Sequence, residues 1–384
     1  MVIRRLAEFQ PARLTQARDV KELTKAELAA RAGLTRQAIS SFEKEKGGTR
    51  PSLETLQKLA NELDVEYTFF TTPLRDSEKN SALDNAISFR SLASATKKHH
   101  LQAKVYLQWV AGLGDFFGEM VDIQSPQLPD FRIDDFTRLT DEEIETLADH
   151  TRREFGLGDG PISDLTLLLE NKGVLCAYLP LANGVDGISA WINGRPITVI
   201  NNKAYAARAR FDLAHELGHL VLHRSVMEDE RQDRDVLKLV EDQANHFGSC
   251  FMAPERTFAP EVYSININSL IGVKERWGLS IQAILMRLYK VGVISDNQKT
   301  RAFQQISAAG WRRKEPLDGE MQAEQSRLFG KIGKFLQENG TLDLHEFFPR
   351  ATYPTEFLEH VTGLKLPSNE SDNIIQFRLK SATI

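Results

Sequence analysis

Cysteine is scarce: Cys176 and Cys250 are the only two in 384 residues. A disulfide framework is therefore excluded, and both thiols read as small core residues rather than a redox pair, with Cys250 on a helix close to the motif described below. No apolar run approaches the ~20 residues of a membrane span, and the opening MVIRRLAEFQPARL lacks the apolar centre of a signal peptide. The chain is expected to be soluble and cytoplasmic, with no membrane partner. Internal repeats and low-complexity tracts are also missing. What remains is a hydrophobic fraction of 41% and a net charge of −5, enough chain for two or three ordinary globular domains.

The most informative stretch is AHELGHLVLH, Ala214 to His223. It holds His215, Glu216 and His219 in the H-E-x-x-H pattern. Residues four apart share one helix face, so two imidazoles can hold one Zn²⁺ while Glu216 points toward the metal's open position. Apolar residues from Tyr205 to Leu222 run right round this helix, which marks it as buried. Buried imidazoles and a buried carboxylate need partners, and a metal supplies one. The longer motif with a glycine and a third histidine is absent, because Leu222 and Ser225 stand at those positions. A third ligand must then come from elsewhere. The next helical segment, about Gln232 to Met252, offers Glu241 and Asp242. Helical spacing puts Leu237, Glu241, Ala244 and Gly248 on one stripe and Lys238, Asp242, Asn245 and Ser249 on a polar stripe beside it. Small residues at 244 and 248 allow close helix packing, so Glu241 is expected to face the site and Asp242 water. His223 and His246 are possible substitutes, and lone histidines near helix ends are more often capping or packing residues.

These residues resemble the ImmA/IrrE family of zinc metallopeptidases. The resemblance rests on RARFDLAHELGHLVLH (Arg208 to His223), on VEDQANHFGSCFMAP (Val240 to Pro254) and on the preceding ITVINN. It implies metal ligands at His215, His219 and Glu241 and a catalytic acid at Glu216. The sequence departs from the family at Gly248, Ser249 and Cys250, none of them a ligand. Zinc so held would leave a position for water and lower its pKa to about 7; Glu216 would take the proton and return it to the leaving amine. Tyr205, Arg208 and His246 are nearby candidates for stabilising the oxyanion.

Residues 1–72 carry a second signal. Helical patterns run from Ala12 to Val20, Lys25 to Ala32, Arg36 to Lys44 and Leu53 to Leu63, with a Thr24/Glu27 capping box, caps at Thr35 and Ser52, and a tight turn at Gly33. The segment LTKAELAARAGLTRQAISSFEKEKGGTRPSLETLQKLANELDV resembles the helix-turn-helix domain of the Cro and phage-repressor type, the XRE family. In that arrangement the helix after Gly33 lies in the DNA major groove. Arg36 and Gln37 suit guanine and adenine edges, and Ser40 and Ser41 reach bases or phosphates. Lys25, Lys44, Lys46 and Arg50 suit phosphates, while Glu43 and Glu45 dilute the basic patch. One domain covers one half-site, so a homodimer on double-stranded operator DNA is expected, with half-sites ~34 Å apart.

Between these regions, Thr71 to Ser81 reads as a linker, and the stretch from Ser88 to Met120 as a long amphipathic helix or helix pair. Gln124 to Asp135 reads as a loop, followed by helices at Asp141–Phe155 and Ile162–Lys172. GVLCAYLPL reads as a buried strand, and ISAWING with RPITVINN as a hairpin turning at Asn193 and Gly194, with Pro196 at an edge or strand start. An edge strand beside the metal cleft could take up a substrate peptide as another strand. Helices separated at Gly278 and capped by Ser280, a third at Asp296–Ala308, a linker at Gly310–Glu320 and a helix at Gln322–Glu338 complete the pattern.

The predicted class is α+β, mainly α. It comprises a helix-turn-helix domain at 1–72, a linker at 73–84, a zincin-like peptidase domain at 85–265, a helical extension at 266–315 and a C-terminal region of unassigned role at 316–384. The two resemblances together imply a DNA-binding transcriptional regulator fused to a zinc endopeptidase that cuts a repressor, a partner helix-turn-helix protein or itself, under stress. The alternative is a non-proteolytic transcription factor whose peptidase-like half senses a ligand or holds structural zinc, within a toxin–antitoxin or phage-defence system.

Overall fold

Local capping chemistry sets the helix ends of the first 70 residues. The computed structural model describes residues 8–79, 88–89, 96–224, 226 and 233–365. Ser225, Gln232 and the tail SNESDNIIQFRLKSATI lie outside them. Helix α1 (Pro11–Val20) opens on a proline whose missing N–H costs nothing there. The side chain of Thr24 accepts from the Glu27 amide, and Glu27 accepts from the Thr24 amide, opening α2 (Lys25–Ala32), which stops at Gly33. Thr35 caps α3 (Arg36–Phe42), and Ser52 caps α4 (Leu53–Leu63). Helix α3 ends two residues before Lys44, and Ser41 Oγ then accepts from the Thr49 amide at 3.0 Å, closing the following turn.

A small sheet divides the rest. The stretch read as helix from Ser88 instead begins with β1 (Ser88–Phe89), and α5 starts only at its Thr96 cap (Lys97–Gly118). Then come α6 (Asp141–Glu154), α7 (Leu165–Asn171), β2 (Leu175–Leu179), β3 (Gly187–Ile192) and β4 (Arg195–Asn201). Asp164 caps α7, which is why that helix starts three residues later than the apolar pattern at Ile162 suggests. Asn193 and Gly194, at φ 48° and 71°, make the tight turn of the β3–β4 hairpin. Strand order is β1-β3-β4-β2, antiparallel except for the β2–β4 pair. Pro196 therefore stands near the start of an interior strand, not at an edge.

Alternation along these strands builds two cores. Leu175, Ala177, Leu179, Ile188, Ala190, Ile197 and Val199 face a core shared with α1 to α5 and the C-terminal helices. Cys176, Trp191 and Ile200 face the other, built from α8 (Ala206–Leu222), α9 (Arg234–Met252) and the helices that follow. These are α10 (Glu255–Glu261), α11 (Leu270–Trp277), α12 (Ile281–Lys290) and α13 (Asp296–Ala308). The sheet thus separates the helix-turn-helix and α5 from α8.

Segments that read as linkers carry buried charge. Within 71–79, a 3-10 turn at Asp76–Glu78 places Glu78, fully buried, against Arg13 of α1. In Gly310–Glu320, Glu315 accepts from Ile281 N at 2.7 Å and from the fully buried Lys274 Nζ at 2.9 Å, fastening this stretch to the start of α12. Helix α14 (Leu328–Glu338) begins six residues after Gln322 because the chain before it runs across α7. There Glu324 accepts from the Leu165 and Thr166 amides and pairs with Arg210 of α8. Helices α15 (Leu344–Ala351) and α16 (Thr355–Thr362) then pack Phe347 and Phe357 on Phe117 and Trp109 of α5.

Candidate metal centre and DNA-facing helix

Helix α8 is buried along its length except at Arg208 and Phe211, and α9 lies against it. The approach depends on Gly248. A Cβ there would sit 3.1 Å from the His215 backbone nitrogen, tighter than ordinary contact, so a larger residue would press on the helix at His215. This close seam brings Glu241 to the two histidines. His215 Nε2 and His219 Nε2 lie 3.0 Å apart, and the Glu241 carboxylate oxygens are 3.3 and 3.4 Å from them. Asp242, one residue on, is exposed.

The donor set suits a borderline cation. Both Glu241 oxygens are buried and make no hydrogen bond of ordinary geometry, although the imidazoles lie 3.3 and 3.4 Å away, which is costly for a carboxylate without a cation. Burial alone would raise the Glu241 carboxyl, but the flanking imidazoles outweigh it and hold the group well below the usual carboxylate range. Two imidazole nitrogens and one carboxylate, meeting at the spacing of neighbouring ligands on one ion, fit Zn²⁺ with a position left over.

Two neighbours escaped sequence reading. Asn245, assigned to the polar stripe with Asp242, instead turns its Oδ1 to His215 Nδ1 at 3.1 Å. Ser189 of β3 donates its hydroxyl to Glu216 Oε2 at 2.6 Å. A serine inside a strand buried throughout was the available signal. Gly187, two residues earlier, leaves the room Glu216 needs, since a Cβ there would approach Oε1 to 3.0 Å.

The other candidates disperse. His223 Nδ1 meets His219 Nδ1 at 3.0 Å, on the side of the ring away from His215 and Glu241. His246 bonds to the Asp141 carbonyl at 3.0 Å and gathers with Glu145 and Cys250. That second cluster is already filled by a cation: Arg287 Nη1 lies 3.2 Å from Cys250 Sγ and the guanidinium pairs with Glu145. Burial pushes the Cys250 thiol up to about 12, so it stays protonated as a core residue. Of the oxyanion candidates, Tyr205 is exposed at the N-cap of α8 and Arg208 pairs with Asp186 at 3.0 Å.

On the other side of the sheet, Arg36 and Gln37 are exposed at the start of α3, with Ser40 half-buried behind them. Ser41 is committed to Thr49. Lys44 is exposed, whereas Lys25 pairs with Glu43 at 3.0 Å. Glu43 does not dilute the basic patch, because Arg18 and Lys25 enclose it and its side chain is 3% exposed, whereas Glu45 is exposed.

A helix-turn-helix on one face of a sheet and a buried cluster of His215, His219 and Glu241 on the other fit a DNA-binding protein with a peptidase domain. Residues 14–70 match the helix-turn-helix family model, and residues 169–289 match the peptidase family model described as the IrrE N-terminal-like domain. No curated protein matches the chain. The chain thus joins an XRE-type helix-turn-helix to an ImmA/IrrE-type metallopeptidase domain. Among the described residues, no helix is long and apolar enough to cross a membrane.

Proposed function

We propose that this chain is a transcriptional regulator whose peptidase half is a zinc-dependent endopeptidase that cuts a repressor under stress. The observation that carries the reading is the convergence of His215 Nε2, His219 Nε2 and the Glu241 carboxylate, within 4.8 Å of one another. Bound zinc would supply an acidified water and polarise the scissile carbonyl. Glu216 takes the water's proton and delivers it to the leaving amine nitrogen. The Ser189 hydroxyl donated to Oε2 holds the carboxylate in place through both transfers. One observation favours a second copy of the chain among possible substrates: Ser88–Phe89, between the two halves, pairs antiparallel with Ile188 and Ser189 on the strand beside Glu216. A bound peptide adds to a sheet in the same way.

Elemental analysis of the purified chain is expected to give about one zinc per chain, and a Glu241→Ala variant much less. A metal-free wild-type chain, after purification without chelators in supplied zinc, would overturn the reading. For the DNA half, Arg36→Ala is expected to cost about 1–3 kcal/mol and relax specificity at one base pair, while Lys44→Ala weakens all sequences alike and lowers the salt slope by about 1. Titrations of operator variants at several salt concentrations check both.

A further inference from the structure

His223 is wholly buried and lies in a chain of hydrogen bonds leading to His219. The chain starts at a carbonyl. Gln243 Nε2 donates to Phe136 O at 2.7 Å, which turns the amide oxygen toward His223 Nε2, 2.9 Å away. An amide oxygen only accepts, so His223 carries its proton on Nε2. A neutral imidazole has one N–H, and His223 Nδ1 is therefore an acceptor. His219 Nδ1, 3.0 Å from it, must donate. That leaves the lone pair of His219 on Nε2, the atom facing His215 Nε2 and Glu241.

We propose that His223, fixed by Gln243 and the Phe136 carbonyl, is a positioning residue that sets the tautomer and ring orientation of His219 for metal binding. This rests on the zinc reading of the site. A ligating histidine is ordinarily oriented by a carboxylate or a backbone carbonyl on its other nitrogen. Asn245 serves His215 in this way with an amide oxygen. For His219 the carbonyl acts at two removes, through Gln243 and then His223. The Phe136 ring also meets the His223 ring edge-on, with centroids 6.2 Å apart, so the same residue holds the imidazole from a second direction. Helix α9 thereby supplies Glu241, the Asn245 contact on His215 and the Gln243 contact on His223.

The test compares Zn²⁺ affinity, by competition with a chelator, for the full chain and for His223→Leu, His223→Asn and Gln243→Leu, with NMR of the His219 ring in the metal-free protein. His223→Leu is expected to bind Zn²⁺ about 10–100-fold more weakly. His223→Asn, whose amide oxygen lies near the place of Nδ1, is expected to recover most of that loss. Metal-free wild type is expected to show His219 protonated on Nδ1, and Gln243→Leu a mixture of tautomers with weakened binding. Should His223→Leu fail to fold, His223→Asn and Gln243→Leu carry the comparison. Unchanged affinity in the folded variants, or a His219 ring protonated on Nε2 in the metal-free wild type, would overturn the proposal. A wild-type chain that binds no Zn²⁺ but shows the Nδ1–H ring would overturn the metal reading and leave the relay standing.

Discussion

Glu216→Gln is expected to lower peptide hydrolysis by at least about 10²–10⁴-fold while zinc content and operator affinity stay at wild-type values. The amide matches the carboxylate in volume, and it can still bond to the Ser189 hydroxyl, so the seam of α8 against β3 is undisturbed. What is lost is the acceptor for the water's proton. His215, His219 and Glu241 are untouched, and α3 lies across the sheet in the other core. The check is a cleavage assay with zinc supplied, in which wild-type chain is also mixed with the Glu216→Gln chain as substrate. Cutting of the inactive copy between its DNA-binding and peptidase halves would identify the chain as its own target. Turnover by the variant within tenfold of wild type would remove Glu216 from the mechanism.

The second large effect concerns stability. Arg13→Met is expected to destabilise the fold by about 3–5 kcal/mol, because it leaves a buried carboxylate without its cation. Arg13 spends its donors on Gln16 Oε1, Thr72 O, Pro73 O and both oxygens of Glu78, and its guanidinium lies over the Phe69 ring at 5.1 Å. Methionine keeps the apolar stem and removes all of these bonds. Against a net stability of roughly 5–15 kcal/mol for a domain, such a loss is readily measured by chemical denaturation. Adding Glu78→Gln to the variant is expected to restore part of it, since the uncompensated charge then disappears. A loss below about 1 kcal/mol would place the pair in the weak class of solvated ion pairs.

Local rules carried much of the fold. Helices α2 and α4 follow their capping residues to the residue, and the hairpin follows Asn193–Gly194, because caps and tight turns are decided by neighbours within four positions. The same holds at the candidate metal centre for the positions of His215, Glu216 and His219, whose spacing is a property of one helix. Glu241 needed a stripe argument and a family resemblance, and the structure places it against both histidines. Asn245, assigned by the same stripes to a polar surface, turned out to bond His215. A helical wheel orders the faces of one helix; it does not say how far round the partner helix reaches.

Composition misled where charge is buried. Thr71–Ser81 and Gly310–Glu320 are polar and carry proline, and so read as linkers. Yet Glu78 and Glu315 are the anchors that fix them, each joined to a cation 41 or more residues away along the chain. A charged residue belongs inside only when its partner is already there, and sequence distance does not reveal that partner.

By itself the sequence determined the two motifs, an H-E-x-x-H helix and a helix-turn-helix, because each is written in short stretches at a helical period. Only the tertiary structure decided what surrounds them: Ser189 on Glu216, the Gln243–His223 chain behind His219, and one apolar core shared by the helix-turn-helix, α5 and the C-terminal helices. The physical reason is range. Periodicity and capping act over a few residues, whereas buried hydrogen bonds and ion pairs join groups that meet only after the sheet and helices have packed.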